Sequence, residues 1–310
     1  MSKLNIDEAI SKTRRLFSEQ SELCRHAEYA IHTIRRGVGR YDPSTVVLMF
    51  SGGHDSSVLV DWFDRFIKPY TQDVRCIVGH INTNIGIPDT REFAREFSEK
   101  RSLEFLEVSV EDVKKDPNYS SVKSYEEFVK EYGFPGPGQH KMAYSWLKYR
   151  PILKMTKDLK QSYHDRVMFI TGVRRDESNR RFTETTRFMR NGARVWLAPI
   201  MDWTNTDMRL YRELLDLERN DVYDFMHTSG ECLCGCFASD NELKELELWF
   251  PEVADRIKEI EEEIQEMYED GELDVHNEDC LHWGHQNRKE GDEDDMDLEN
   301  MPLCHDCGNS

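Results

Sequence analysis

The chain has 310 residues, enough for one large α/β core and a smaller appendage, and its 41 Lys and Arg stand against 60 Asp and Glu for a net charge of −19. That charge argues against a nucleic-acid partner for the surface as a whole, and no stretch approaches the roughly 18 to 20 apolar residues of a membrane span. Eight cysteines with no apolar leader before them, six of them after residue 231, favour metal binding over a disulfide scaffold in a soluble, cytoplasmic protein. The acidity of Glu261-Glu262-Glu263 and of residues 290–299 reads as solvated surface, while the rest is spread as in proteins adapted to high salt.

From Ile6 to Arg36, apolar Ile10, Phe17, Ala27, Ala30 and Ile31 fall near helical spacing, and Gly37, Gly39 and Pro43 are expected to end this N-terminal helical layer. Val46 to Phe50 is a short continuous apolar run, suited to a strand buried on both faces of a parallel sheet. It leads into Ser51-Gly52-Gly53-His54-Asp55-Ser56-Ser57, after which Val58, Leu59, Trp62, Phe63 and Phe66 recur at helical spacing. Strands are expected at Val74 to Ile81, Leu103 to Val108, Val167 to Thr171 and Val195 to Ala198. Helices are expected at Asp89 to Lys100, Ser145 to Leu159 with a tolerated or kinking Pro151, Thr204 to Arg219, and Asn241 to about Tyr268.

This alternation implies right-handed crossovers and a doubly wound, mostly parallel, Rossmann-like α/β sheet, with ligands at the carboxyl ends of its strands. The expected organisation is a helical extension over residues 1–40, a nucleotide-binding domain over 41–230 and a small Cys-rich region over 231–310.

Two glycines between a buried strand and a helix let backbone N–H groups approach an anion at the helix N-terminus, and Ser51, Ser56 and Ser57 add hydroxyls. Asp55 cannot welcome a phosphate directly, so its expected role is to hold Mg²⁺ or to cap the loop. The spacing fits neither the Walker loop nor the Gly-x-Gly-x-x-Gly fingerprint. In Gly133 to Lys141, a Gly- and Pro-rich loop that continues to Lys148, His140 and Lys141 are candidates to reach a reacting phosphate if it closes over substrate.

Cys232-x-Cys234-x-Cys236 and Cys304-x-x-Cys307 supply thiols at ligand spacing. Cys232, Cys234, Cys304 and Cys307 form the favoured four-thiolate set for zinc or a 4Fe-4S cluster. Cys236, Cys280, His276, His282, His285 and His305 are rival ligands, and Cys24 and Cys76 read as small core residues.

At Ser51 to Ser57 the sequence resembles the pyrophosphatase-loop superfamily, with its Ser-Gly-Gly-x-Asp-Ser signature, and within it the phosphoadenosine phosphosulfate reductase-like family. His54 stands where many members have Lys. Three further segments follow in the family's order: Asn82 to Thr90, with Asn82, Asn84 and Asp89 as departures; Gly172-Val173-Arg174-Arg175-Asp176-Glu177-Ser178 to Arg181; and Pro199 to Thr204. The resemblance implies an adenine nucleotide bound by Ser51, Gly52, Gly53, Ser56, Ser57, Asn82, Gly172, Arg175, Glu177 and Arg181, with Asp55 and Arg174 in the chemistry. Guanidinium forks at a strand's carboxyl end suit phosphate or sulfate.

The resemblance implies action at the α-phosphate: ATP and Mg²⁺ are bound, an acceptor oxygen is adenylated and pyrophosphate leaves. Sulfur transfer from a donor protein would follow, as in similar DNA-phosphorothioation proteins. The alternatives are a reductase of adenylyl sulfate or its 3′-phosphate, using Cys232 or Cys234, and a non-catalytic nucleotide-binding module. Glu231-Cys232-Leu233-Cys234-Gly235 only partly echoes the reductases' Glu-Cys-Gly-x-His.

Overall fold

The computed structural model describes residues 6–18, 21–71, 74–119, 121–177, 186–239 and 241–285. Among them, six strands form one sheet in the order β3-β2-β1-β4-β6-β5. These are β1 (Thr45–Met49), β2 (Arg75–Asn82), β3 (Glu104–Ser109), β4 (Val167–Ile170), β5 (Phe188–Asn191) and β6 (Arg194–Leu197). β1 pairs in parallel with both β2 and β4, and β4 with β6; β5 runs antiparallel to β6, making a hairpin with it. The expected α/β class with a mostly parallel sheet is thus present.

β1 and β4 are buried at every position, as their unbroken apolar runs require. Side chains alternate between faces along each strand. Val46, Leu48, Met168, Ile170, Val195 and Leu197 enter the core shared with α1 (Ile6–Leu16), α2 (Glu22–Tyr41) and α3 (His54–Phe66). Phe169 and Trp196 occupy the alternate positions, stacked at 4.8 Å.

The helical layer is two helices, and α2 runs through Gly37 and Gly39 to Tyr41 instead of ending at them. Gly37 is a packing residue: a Cβ there would lie 3.2 Å from both Leu197 Cδ2 and Met168 Cε, so glycine lets the helix lie close on the sheet. Asp42, in the left-handed region at φ 44°, ends α2 by donating its N–H to the Val38 carbonyl.

The expected helix from Ser145 to Leu159 is part of a longer, irregular rod. α7 (His140–Tyr144) passes into a π-helical turn at Ser145–Tyr149 and then into α8 (Arg150–Leu159). Pro151 has no N–H for the Leu147 carbonyl, and just before it Arg150 N–H reaches back five residues to Ser145. The expected last helix is broken in two, Glu242–Trp249 and Pro251–Glu269, because Pro251 favours the first position of a new helix over the interior of an old one.

The chain divides into two compact units. The first is Met1–His80, Phe93–Leu106 and Thr156–Asn220; the second is Ile81–Glu92, Glu107–Met155 and Asp221–Ser310. A second core belongs to the latter, built from Ile85, Val110, Phe128, Phe134, Leu147, Ile257 and Trp283 among others. No helix among the described residues is long and apolar enough to cross a membrane.

Candidate functional site

The phosphate loop lies in the first unit, between β1 and α3. Gly52 takes φ +76°, a conformation that favours glycine, and Gly53 is the N-cap of the 13-residue α3 without a side-chain cap. The serine hydroxyls brace the loop itself: Ser56 and Ser57 each donate to the Gly53 carbonyl at 2.9 Å, and Ser51 Oγ lies 3.2 Å from Ser56 Oγ. Asn220, buried at the end of this unit, donates to the Gly52 carbonyl at 3.3 Å. The sequence offered no signal for this residue.

Gly172, just after β4, is pressed against the start of α3. A Cβ on it would stand 3.0 Å from the Asp55 carbonyl carbon and 3.1 Å from Ser56 N. Two residues on, Arg174 donates through Nε to Asp55 Oδ2 at 2.7 Å, with its other nitrogens on the Trp203 carbonyl and Asn205 Oδ1. Its side chain is 5 % exposed, so this cation is committed to Asp55. The pairing answers the charge problem of an aspartate beside an anion site, because the guanidinium offsets the carboxylate.

Asp202 gathers two more guanidinium groups, Arg175 at 3.2 Å and Arg187 at 2.5 Å. Arg175 Nε and Arg187 Nη1 are buried and, among the described residues, have no acceptor. Buried donors of this kind fit an anionic ligand, since leaving them unsatisfied is costly. Arg187 was missed in the sequence because it lies outside the Gly172 to Arg181 segment. Glu177 lies in the 3₁₀ turn Arg175–Glu177, and Arg181 lies outside the described residues.

The remaining candidates lie in the second unit. Asn82 donates to Glu107 at 2.8 Å and accepts from Asn84 N–H, forming a turn. The residues after it clamp the cysteine loop. Thr83 Oγ1 donates to the Glu231 carbonyl at 3.0 Å, Ile87 N–H to Gly230 at 2.8 Å, Leu233 N–H to Ile85 at 3.2 Å, and Thr90 Oγ1 to Ser229. His140 is buried, edge-on to Phe237 at 4.9 Å, and Lys141 is exposed.

Cys232, Cys234 and Cys236 line one pocket with Lys148, Ser229 and Glu231. Lys148 Nζ meets Glu231 Oε2 at 2.9 Å, with both side chains under a tenth exposed. Tyr125, fully buried, donates its hydroxyl to the Cys234 carbonyl at 3.0 Å. Burial first, and then the thiols of Cys234, Cys236 and Cys232, hold this phenol protonated well above its usual range. None of the described cysteines is in a disulfide.

The expected metal set is half placed, since Cys304 and Cys307 lie outside the described residues. Among the described residues no three His, Cys, Asp or Glu side chains are arranged to hold a metal ion. Of the rival ligands, His276 lies beside Cys280, its ring nitrogens 3.7 and 3.8 Å from the sulfur. The described groups alone therefore do not make a metal centre.

Residues 45–237 match the model of the phosphoadenosine phosphosulfate reductase domain. The chain belongs to this family. An uncharacterized protein of Methanocaldococcus jannaschii is 26 % identical over 223 residues, which are 71 % of this chain and 44 % of that protein, so the chain spans less than half the relative's length. Among solved structures, the chain is similar to a phosphoadenylyl-sulfate reductase of Candida auris in a phosphate complex, with a TM-score of 0.43, 17 % identity and coverage of 70 % of this chain and 90 % of that one. It is also similar to a U34-tRNA thiolase of Methanococcus maripaludis with its 4Fe-4S cluster, at 0.44 and 14 %, covering 84 % and 78 %. An FMN adenylyltransferase of Candida glabrata with FMN and an ATP analogue scores 0.40 at 13 %, covering 71 % of each chain.

Proposed function

We propose that the chain binds an adenine nucleotide on the loop Ser51 to Ser57 and acts at its α-phosphate, splitting ATP into pyrophosphate and an adenylated acceptor from which AMP later departs in a sulfur-handling step. The observation that carries this reading is the cradle in which Gly172 packs on the backbone of Asp55 and Ser56 while Arg174 holds Asp55. The loop amides and the N-terminal end of α3, which no side chain caps, would take the leaving pyrophosphate. Mg²⁺, when bound beside Asp55, would supply the charge neutralisation that pyrophosphate departure needs. Arg175 and Arg187 would donate to the anionic group beyond it.

Calorimetry with ATP and Mg²⁺, followed by a pyrophosphate-release assay with candidate acceptors, tests the reading. The parent should bind, and Gly172→Ala should weaken binding by about tenfold or more, because the neighbouring backbone must give way. A parent that neither binds ATP nor releases pyrophosphate would sink it.

The family favours a second reading, reduction of adenylyl sulfate or its 3′-phosphate, in which Cys232 supplies the thiol and Arg175 and Arg187 face the substrate's anionic groups. Sulfite release from those substrates, lost in Cys232→Ser, would select it over ATP cleavage.

A further inference from the structure

The second unit holds a feature that nucleotide chemistry leaves unused. Lys148 belongs to the π-helical turn Ser145–Tyr149, and such turns re-aim a side chain that a regular helix would carry elsewhere. Here the turn sends an ammonium group inward, to a side chain only 5 % exposed, onto Glu231. Burying such a pair gains little stability over an apolar packing of the same volume, so its presence calls for a reason in the pocket it lines.

That pocket has a volume of about 50 Å³, room for a few waters and far too little for a nucleotide. Its wall is the thiol loop. Cys234 is 4 % exposed and Cys236 fully buried, whereas Cys232 is half-buried and follows Glu231 directly. The loop is held in place at Ser229, Gly230, Glu231 and Leu233 by Thr90, Ile87, Thr83 and Ile85, and Gly86 packs so tightly that a Cβ on it would overlap the Glu231 carbonyl. A small opening, a thiol at its edge and a fixed cation in its wall suit a ligand of very few atoms that carries negative charge on sulfur.

We propose that Cys232 accepts sulfane sulfur in this pocket, with Lys148, itself held by Glu231, as the residue that steadies the charge on the transferred sulfur. The Cys232 thiolate attacks the outer sulfur of a persulfide R–S–SH. A new S–S bond forms, the donor's S–S bond breaks, and R–S⁻ departs and takes up a proton, leaving Cys232 as a persulfide with no net oxidation. Cys232 is the residue that reacts, and Lys148 is a positioning residue. The inference rests on the sulfur-handling part of the function proposed above. Its experiment contains no nucleotide, so failure to load sulfur and failure to release pyrophosphate are separate results.

The full-length protein, reduced and desalted, is treated with inorganic polysulfide, trapped with iodoacetamide and mapped by fragmentation mass spectrometry. Added sulfur should sit on Cys232, vanish in Cys232→Ser and persist in Cys234→Ser and Cys236→Ser. The paired change Lys148→Met with Glu231→Gln, which removes both charges without orphaning either, should slow loading about tenfold, and Lys148→Arg alone should load near the parental rate. Mapping in the parent needs no variant to fold, and sulfur found chiefly on Cys24, Cys76 or Cys280 would overturn the proposal. So would undiminished loading in Cys232→Ser, an unslowed double variant or failure of Lys148→Arg. A Cys232 that resists both reagents until a chelator is added would identify a metal ligand and equally overturn it.

Discussion

A carboxylate beside a phosphate cradle is tolerable only with its charge offset, and Asp55 obtains that from Arg174 at 2.7 Å. The sequence made Asp55 and Arg174 separate candidates; their pairing needed β4 and α3 to be brought together, which no local pattern encodes. Away from the site, single residues carry their own signatures. Burial pushes the Cys76 thiol from 9.0 up to about 11. Because the folded value lies above the unfolded one, the contribution is whole below pH 9 and is lost as the pH rises toward 11. In that window stability should fall by about 1.4 kcal/mol per pH unit from this group alone. Cys76→Val should flatten that decline, read as the urea midpoint across the same pH range, and an unchanged slope would refute the assignment.

At the scale of elements, the strand-loop-helix unit of β1, Ser51 to Ser57 and α3 was legible because a continuous apolar run, a glycine pair and a helical period follow one another within 25 residues. β5 was not, although Asn191-Gly192 is a hairpin signal, since a strand of four residues ending in Arg190 and Asn191 has no apolar alternation to read. The clamp on the cysteine loop was equally silent. Asn82 to Thr90 was read as a family-like segment with Asn82 as its nucleotide contact, and nothing in that reading signalled that its backbone and threonines bond residues some 140 positions away in sequence. This element makes a sharp forecast. In Gly86→Ala the new Cβ would lie 2.2 Å from the Glu231 carbonyl oxygen, so the clamp must open at a cost of about 2 to 3 kcal/mol. Urea unfolding should show that loss, with faster iodoacetamide labelling at Cys234 and Cys236. A parental midpoint would contradict it.

At the scale of the whole molecule the dominant physical fact is charge. A net −19 over 310 residues makes the folded state repel itself at low ionic strength. Ion pairs such as Arg14–Glu28, Arg256–Glu126 and Lys258–Glu247 use up cations locally without changing that sum. Raising salt from about 0.01 M to about 1 M shortens the screening length from about 30 Å to about 3 Å and should raise the melting temperature by several degrees. A fall, or no change, in differential scanning calorimetry would count against self-repulsion as a leading destabilising term.

The antiparallel hairpin has a consequence for crowded solution. A sheet ends wherever a strand has one side unpaired, and a long apolar terminal strand invites another chain to add to it. β5 ends this sheet with four residues, the last two exposed, and Arg190 turns its guanidinium back onto the Gly192 carbonyl at 3.1 Å. An incoming strand would find few backbone groups to grip and a cation in its path. Replacing Arg190 and Asn191 with valines would remove that guard and leave an edge prone to intermolecular sheet growth.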